Sequence, residues 1–262
     1  MELTDRVALV TGGARGIGRG VAIALAQAGA SVAIADLLSN PKIAKDAELA
    51  AQEVAGTGRR ATLIDCDVSS EASCNAMVAQ TLEQLGRLDV VVPNAGIPGI
   101  GTVLDTSAEQ WERVLSVNTT GTFLTCRAAL PHLVEQGEGS IVNIASTLGL
   151  KAVAGRASYV ASKFAVIGLT KALAAEVAAS GVRVNCVCPS SVRSHMTLDE
   201  LMDITGIDDA EQADSMWTSV AAKRLPLGRS VEPDDIGQAV VWLCESDMVS
   251  GIAVPVTGGE GL

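Results

Sequence analysis

Short runs rich in valine, isoleucine and alanine alternate with longer helical patterns along the whole 262-residue chain. The runs are apolar on both faces, which is typical of strands in a parallel sheet that helices cover on each side. This alternation predicts an α/β fold: a single-domain, Rossmann-like, doubly wound sheet of about seven parallel strands over residues 1–262, with helices on both faces. The predicted strands are 6–11, 31–36, 61–67, 88–93, 140–146, 182–188 and 252–257, and the helical patterns begin near Ile17 and continue at 43–55, 70–85, 108–118, 120–135, 158–179 and 233–244.

Residues 190–232 interrupt the alternation with a long stretch of mixed helical and loop-like character. Insertions of this length are commonly active-site lids or disordered surface segments. This one follows a predicted strand, and open α/β sheets bind ligands at the carboxyl ends of their strands. We therefore predict a substrate lid, whose apolar residues would either line a pocket or form the lid's own core. These residues are Met196, Leu201, Met202, Met216 and Trp217.

Charge and composition exclude several classes of partner. The formal charge of −11 and the pI near 4.6 oppose binding to nucleic acids and anionic membranes, and 2% aromatic residues supply no stacking platform for single strands. The longest apolar run is broken by Gln27, Gly29 and Ser31, and no secretory signal pattern is present at the N-terminus. The six cysteines and the two histidines, His132 and His195, lack metal-ligand spacing. We therefore predict a cytoplasmic protein that binds no metal, membrane or nucleic acid.

A glycine-rich segment, "TGGARGIGRG", follows the first predicted strand directly. Gly12, Gly16 and Gly18 fall at a strand-to-helix turn, where a backbone without Cβ atoms can approach a diphosphate and a helix N-terminus offers free N–H groups. The spacing G-x-x-x-G-x-G differs from the commoner G-x-G-x-x-G dinucleotide pattern. Position and composition together predict a dinucleotide site.

Two charged residues bear on which nucleotide is preferred. Asp36 ends the second predicted strand, where a carboxylate can accept hydrogen bonds from the adenosine ribose and repel a 2′-phosphate. Arg15, inside the glycine loop, could contact such a phosphate but can equally face solvent. We therefore predict NAD rather than NADP.

Further segments follow in a recognisable order: Asp67–Val68, "PNAG" at 93–96, Asn118 in "SVNTTG", and Ser146 thirteen residues before Tyr159, which opens "YVASK". With the glycine loop they make the chain resemble the short-chain dehydrogenase/reductase family, in its NAD-preferring type, over nearly the whole length. Two positions depart from the family pattern. Pro93 replaces the usual first asparagine and lacks an N–H, and "PSSVRS" at 189–194 has Ser190 where glycine is usual.

The resemblance implies an oxidoreductase acting on CH–OH groups, with Tyr159 as general acid/base, Lys163 holding the nicotinamide ribose, Ser146 orienting the substrate oxygen, and Asn118 holding a water for proton relay. On a helix, residues four apart share a face, so we expect the Lys163 ammonium to lower the pKa of the Tyr159 phenol. The resemblance also suggests a homotetramer formed through the helices near 120–135 and 158–179. The implied cofactor-binding residues are Gly12, Arg15, Gly16, Ile17, Gly18, Asp36, Asp67, Val68, Asn94, Ala95, Gly96, Tyr159, Lys163, Pro189, Val192 and Ser194.

The substrate stays open at this level. A small secondary alcohol, polyol or sugar-type substrate is the leading hypothesis, and the apolar lid residues keep a steroid or other apolar alcohol in consideration. A 3-oxoacyl-[acyl-carrier-protein] reductase is less favoured, because such carriers are acidic and so is this chain. A non-enzymatic, nucleotide-sensing scaffold on the same fold would have no need of the proton-transfer residues.

Overall fold

The computed structural model describes residues 1–260 and contains one seven-stranded parallel sheet, ordered β3-β2-β1-β4-β5-β6-β7. The architecture confirms the prediction of a doubly wound α/β fold. Residues 261 and 262, the last two of the predicted domain and of the C-terminal segment, lie outside the described residues. The strands are β1 (Val7–Thr11), β2 (Ser31–Asp36), β3 (Ala61–Asp65), β4 (Val90–Val92), β5 (Gly139–Ile144), β6 (Val182–Pro189) and β7 (Ala253–Val256).

Helices cover both faces of the sheet, and the strands alternate their side chains between two cores. Val10 points toward a cluster that includes Val21 and Ile236, whereas Leu9 packs with Met77 and Leu124 on the opposite face. The central strands β1 and β4 are therefore largely apolar, because both of their faces are buried. The helices are α1 (Gly16–Gln27), α2 (Pro41–Gly56), α3 (Glu71–Leu85), α4 (Ala108–Leu115), α5 (Gly121–Gln136), α6 (Ala157–Val177), α7 (His195–Thr205), α8 (Ala210–Arg224) and α9 (Pro233–Glu245).

The strand order reverses between β1 and β4, because β1 pairs with β2 on one side and with β4 on the other. In open α/β sheets such a switch point opens a crevice at the carboxyl ends of the strands, where ligands bind. The glycine loop follows β1 and the "PNAG" segment follows β4. The topology thus brings these two motifs to one edge of the sheet.

A π-helical turn, Ser116–Thr120, joins α4 to α5. The sequence pattern predicted two helices here, and the structure instead runs helically through both with one widened turn. Such turns are frequent at functional sites. This one contains Asn118.

Residues 190–232 are mainly helical, with α7 and α8 as the two principal elements. Val192 pairs with Val231 in a short parallel bridge, and Arg193 donates hydrogen bonds to Asp214 of α8. The insertion is therefore closed at its base and tied to its own second helix. Among residues 1–260, no helix has both the length and the apolar character needed to cross a membrane.

Candidate active site

A cavity of about 290 Å³ opens at the carboxyl ends of the central strands. Its wall combines the glycine loop, the end of β2, the segment after β4, the end of β5, the start of α6 and the segment from Pro189 to Thr197. All the predicted cofactor-binding residues except Gly18 line it, together with Ser146. Residues distant in sequence therefore meet around one space.

The glycine loop forms a tight cradle beside this cavity. Gly12 has φ of +62°, and a Cβ on Gly18 would lie 2.1 Å from the carbonyl oxygen of Gly12. Gly18 therefore permits the close approach of α1 to the loop from behind the cavity wall. The side chain of Asn94 holds the loop by donating to the carbonyl oxygens of Thr11 and Gly12, at 2.9 and 3.0 Å.

This cradle fits a nucleotide diphosphate. Helix α1 begins at Gly16, directly at the cavity, so its first N–H groups and its positive dipole end face the space where a diphosphate would lie. A side chain at Gly12 would collide with Ala95 and Asn94, and one at Gly18 with the Gly12 carbonyl, so either would displace the loop that forms the cradle.

Asp36 ends β2 at the far side of the cavity, and backbone N–H groups orient its carboxylate. Oδ2 accepts from the N–H of Ala14 at 3.1 Å and Oδ1 from the N–H of Leu37 at 2.9 Å. Arg15 lines the same cavity. Asp36 is thus held by the glycine loop that it faces.

Asp67 and Val68, which the resemblance implies as cofactor-binding residues, line the same cavity. Asp67 Oδ1 accepts hydrogen bonds from the N–H and hydroxyl groups of Ser69, at 2.9 and 2.6 Å, and the hydroxyl bond lowers the pKa of its carboxyl group although burial opposes this. Two apolar side chains, Leu37 and Ile43, complete the wall, and sequence reasoning missed both. Leu37 follows Asp36 directly, so its position in the chain was a usable signal, whereas Ile43 reaches the cavity only through the placement of α2.

The two departures from the family pattern cause no visible disruption. The carbonyl oxygen of Pro93 accepts a hydrogen bond from the N–H of Ile144, and Asn94 keeps its bonds to the glycine loop. Asp5 is the one non-glycine residue with positive φ within residues 1–260, so Ser190 occupies its turn without left-handed strain.

Ser146 and Tyr159 meet at the opposite end of the cavity from Asp36. Both side chains line the cavity; burial raises the pKa of the Tyr159 phenol and the neighbouring Ser146 hydroxyl opposes this rise, while the N–H of Leu148 donates to the Ser146 hydroxyl at 3.1 Å. Ser146 lies two residues beyond the end of β5, and Tyr159 lies in the first turn of α6. The phenol and the hydroxyl therefore form one polar group in an otherwise largely apolar wall.

Lys163 lies one helical turn beyond Tyr159 and is only 4% exposed. Its Nζ atom donates to the carbonyl oxygen of Ile144 at 2.9 Å and lies 5.6 Å from the centre of the Tyr159 ring. Burial lowers the pKa of Lys163 to about 8, although interaction with the Cys188 and Cys186 thiols opposes this.

The prediction that Lys163 lowers the pKa of Tyr159 is wrong for this structure. Burial raises the pKa of the phenol above its ordinary value, and the neighbouring Ser146 hydroxyl and the charge of Arg156 offset only part of that rise. The ammonium is itself desolvated and is engaged with a backbone carbonyl, so it contributes little at the phenol.

Asn118 lies behind the cavity wall rather than in it. It is fully buried; Oδ1 accepts from the N–H of Ile97 at 2.8 Å, and Nδ2 donates to the carbonyl of Ile97 and the hydroxyl of Ser162, at 3.0 and 3.1 Å. Its side chain therefore joins the segment after β4 to α6. That Asn118 also holds a water for proton relay, the role that the resemblance implies, stays a prediction.

The 190–232 insertion adds residues to the cavity wall. His195, Met196 and Thr197, at the start of α7, line it, as does Ser190. Of the predicted apolar lid residues, Trp217 packs against the main core instead of the cavity, and Met216 is 40% exposed. His132 is exposed on α5.

The short chain dehydrogenase family model matches residues 6–203. The chain belongs to the short-chain dehydrogenase family. It is 39% identical to 4-formylbenzenesulfonate dehydrogenase of Comamonas testosteroni over the full length of both, and 38% identical to an uncharacterised NAD-dependent oxidoreductase of Mycobacterium tuberculosis, covering 98% of this chain and 96% of that one. Levodione reductase superposes with a TM-score of 0.87 at 31% identity, over 98% of this chain and 97% of that one.

Membership in the short-chain dehydrogenase family makes the protein an oxidoreductase of the class that binds nicotinamide cofactors and acts on alcohols and ketones. The glycine cradle, the Asp36 carboxylate, Ser146, Tyr159 and Lys163 all line one cavity. Within residues 1–260, no three His, Cys, Asp or Glu side chains converge to form a metal site.

Proposed function

We propose that the protein is an NAD-dependent dehydrogenase that interconverts a small secondary alcohol, polyol or sugar-type substrate and the corresponding ketone. The observation that carries this proposal is that Ser146, Tyr159 and Lys163 share one cavity with the glycine loop and Asp36. A cofactor cradle alone would suit a nucleotide sensor, but a buried proton-transfer group beside the cradle favours catalysis.

Tyr159 acts as the general acid/base in this proposal. In ketone reduction the phenol donates its proton to the carbonyl oxygen, and burial favours the protonated form that this needs. In alcohol oxidation the phenol must lose its proton. The bound cofactor would supply the hydride acceptor, an oxidised nicotinamide ring whose positive charge favours that loss. Ser146, which lines the same cavity as Tyr159, holds the substrate oxygen against the phenol.

Lys163 and Asn118 serve this group in different ways. The buried ammonium, which lines the cavity, binds the nicotinamide ribose. Asn118 is a positioning residue: its amide joins Ile97 to Ser162, and Ser162 in turn donates to the carbonyl oxygen of Tyr159 at 2.7 Å. Removing the amide would loosen the first turns of α6.

The preference for NAD rests on Asp36. Both carboxylate oxygens already accept backbone N–H groups, so the charge is held in place at the end of β2 and can accept from ribose hydroxyls. A 2′-phosphate there would face a fixed negative charge, and Arg15 would have to offset it.

Residues 190–232 form the lid over the substrate end of the cavity. Arg156, at the start of α6, pairs with Glu200 of α7, and both side chains are mostly buried. This ion pair ties the lid to the segment that carries Tyr159. It also neutralises a cation near the reacting group, which supports an uncharged substrate.

The oligomer proposed is a homotetramer that pairs α5 and α6 with copies of themselves. Phe123 and Val134 on α5 and Phe164 on α6 are each 40–47% exposed, with Arg127 stacked near Phe123. Large side chains exposed on neighbouring helices are typical of interfaces.

We also propose a cytoplasmic location, because all six thiols are free and buried.

The test is absorbance at the NADH band with purified protein, NAD or NADP, and a panel of secondary alcohols, polyols and steroid alcohols. Turnover with NAD and a small alcohol is expected. Replacement of Tyr159 by phenylalanine should lower kcat by roughly 10²- to 10⁴-fold while NADH binding, followed by calorimetric titration, is retained. Unchanged turnover by this variant would refute the assignment of Tyr159, and reduction of an acyl-thioester ketone alone would favour the acyl-carrier reductase instead.

A further inference from the structure

The hydroxyl of Ser190 is a buried polar group without a hydrogen-bond partner among residues 1–260. Leaving a hydroxyl unpaired in a protein interior is unfavourable, and most such groups in folded proteins are paired. Ser190 lines the cavity that holds Ser146 and Tyr159. The unpaired atom therefore belongs to a residue of the substrate end of the site.

The backbone determines which way Ser190 faces. The N–H groups of Cys186 and Ser190 donate to the carbonyl oxygens of Ile252, just before β7, and of Val256 in β7, so the β6 ladder continues as far as Ser190. Alternate residues of a strand share a face, so Ser190 lies on the side of Cys186 and Cys188, which pack with Val166 of α6. Ser190 thus faces the helix that carries the proton-transfer residues.

The level of Ser190 along the sheet matches that of Tyr159. Lys163 lies near Cys188, because its Nζ atom donates to the carbonyl oxygen of Ile144, which pairs with Val187 of β6, the residue before Cys188. Tyr159 is one helical turn, about 6 Å, from Lys163 toward the carboxyl edge, and Ser190 is two strand residues, about 6.6 Å, from Cys188 in the same direction. The two hydroxyl-bearing residues therefore flank the same part of the cavity.

No hydrogen bond holds the Ser190 side chain in its present rotamer. Rotation about χ1 between staggered wells can bring Oγ to the cavity surface, where a polar group on the ligand would pair with it. Ser146 and Tyr159 already serve the reacting oxygen in the proposed function. A further hydroxyl in the wall suits a second oxygen on the neighbouring carbon.

We propose that Ser190 is a specificity-determining residue that hydrogen-bonds a second oxygen of the substrate, so that the enzyme favours vicinal diols and α-hydroxyketones over simple alcohols. This inference rests on the proposed function and narrows its substrate class. Ser190 stands where glycine is usual in the family, so this contact would be a property of this chain.

The experiment compares matched substrates: butan-2-ol with each stereoisomer of butane-2,3-diol, and cyclohexanol with the cyclohexane-1,2-diols. Wild-type protein, Ser190→Ala and the control Ser191→Ala are assayed by NADH absorbance, because Ser191 is the neighbouring serine and is not part of the cavity wall. In Ser190→Ala, kcat/KM for the preferred diol should fall about three- to tenfold, the value of one neutral hydrogen bond, and mainly through KM.

Turnover of the mono-alcohols should stay unchanged in Ser190→Ala, and this also shows that the variant is folded and binds NAD. An equal fall for both substrates of a pair, or no change in either, would overturn the assignment of Ser190 while leaving the proposed function intact. Wild-type protein that oxidises none of these alcohols, with NAD or with NADP, would contradict the proposed function and the assignment together.

Discussion

We predict that the buried ammonium of Lys163 lowers the free energy of unfolding at neutral pH, although the proposed function needs this residue. The side chain is 4% exposed, and burial lowers its pKa from 10.5 to about 8. At about 1.36 kcal/mol per pKa unit, this lowering means that the buried ammonium costs about 3 kcal/mol at neutral pH. Lys163→Met removes this cost but also the hydrogen bond to the Ile144 carbonyl, worth about 1 kcal/mol. We expect the variant to be more stable by about 2 kcal/mol at pH 7, and inactive.

The pH dependence identifies the cause. The folded pKa lies below the unfolded one, so from about pH 8 to pH 10.5 the unfolded chain binds more protons, and the stability of the wild type rises through that window. Lys163→Met lacks this rise. The difference in stability should therefore shrink as the pH increases and end at about 1 kcal/mol in favour of the wild type, when only the lost hydrogen bond remains.

The measurement is urea unfolding followed by far-ultraviolet circular dichroism between pH 7 and 10.5, at one protein concentration so that subunit association affects all samples alike. Lys171→Met is the control, because Lys171 lies two turns further along α6 and is exposed. A variant less stable than the wild type at pH 7, or a stability difference that does not change with pH, would refute the reasoning.

Two further predictions concern carboxylates. Asp36→Asn should lower the ratio of kcat/KM with NAD to kcat/KM with NADP by roughly tenfold or more, because a charged hydrogen-bond acceptor and a repulsive charge are both lost. The control is Asp65→Asn, at the matching position of the neighbouring strand, which should leave the ratio unchanged. An equal effect of the two substitutions would contradict the role of Asp36. Asp89 is fully buried and accepts from Arg87 and Arg6, so Asp89→Asn should destabilise the protein by about 1.5–3 kcal/mol in urea unfolding, because charged hydrogen bonds are lost while both arginines still reach solvent. Burial raises the pKa of Asp89, but the hydrogen bonds to its carboxylate and the charge of Arg87 together outweigh burial and hold the pKa below its ordinary value. The contribution of Asp89 to the stability of the folded protein is therefore present above about pH 4 and is lost as the pH falls below that. Unchanged stability of the variant at pH 7 would contradict the stabilising role of Asp89.

Much of the candidate site could be predicted from local sequence because its parts are short and contiguous. The glycine loop follows a strand, and a carboxylate ends the next strand, so parallel strands place both at one edge. Gly18 was placed at the cofactor by its spacing, whereas the structure shows it supporting the loop from behind. Spacing identifies which residues belong to a motif, but it does not distinguish contact with a ligand from support of the backbone.

The sequence alone determined the fold class, the order of strands and helices, the family and the residues that gather at the carboxyl edge, because these follow from periodicity and from motifs that are local along the chain. The tertiary structure decided how those residues behave. Burial, which depends on every neighbouring element, raises the pKa of Tyr159 and lowers that of Lys163, where helical spacing alone predicted a lowered phenol pKa. Packing between distant segments pairs the Asn118 amide with Ile97 and Ser162 and leaves the Ser190 hydroxyl without a partner beside the cavity, because hydrogen-bond partners come from segments far apart in sequence.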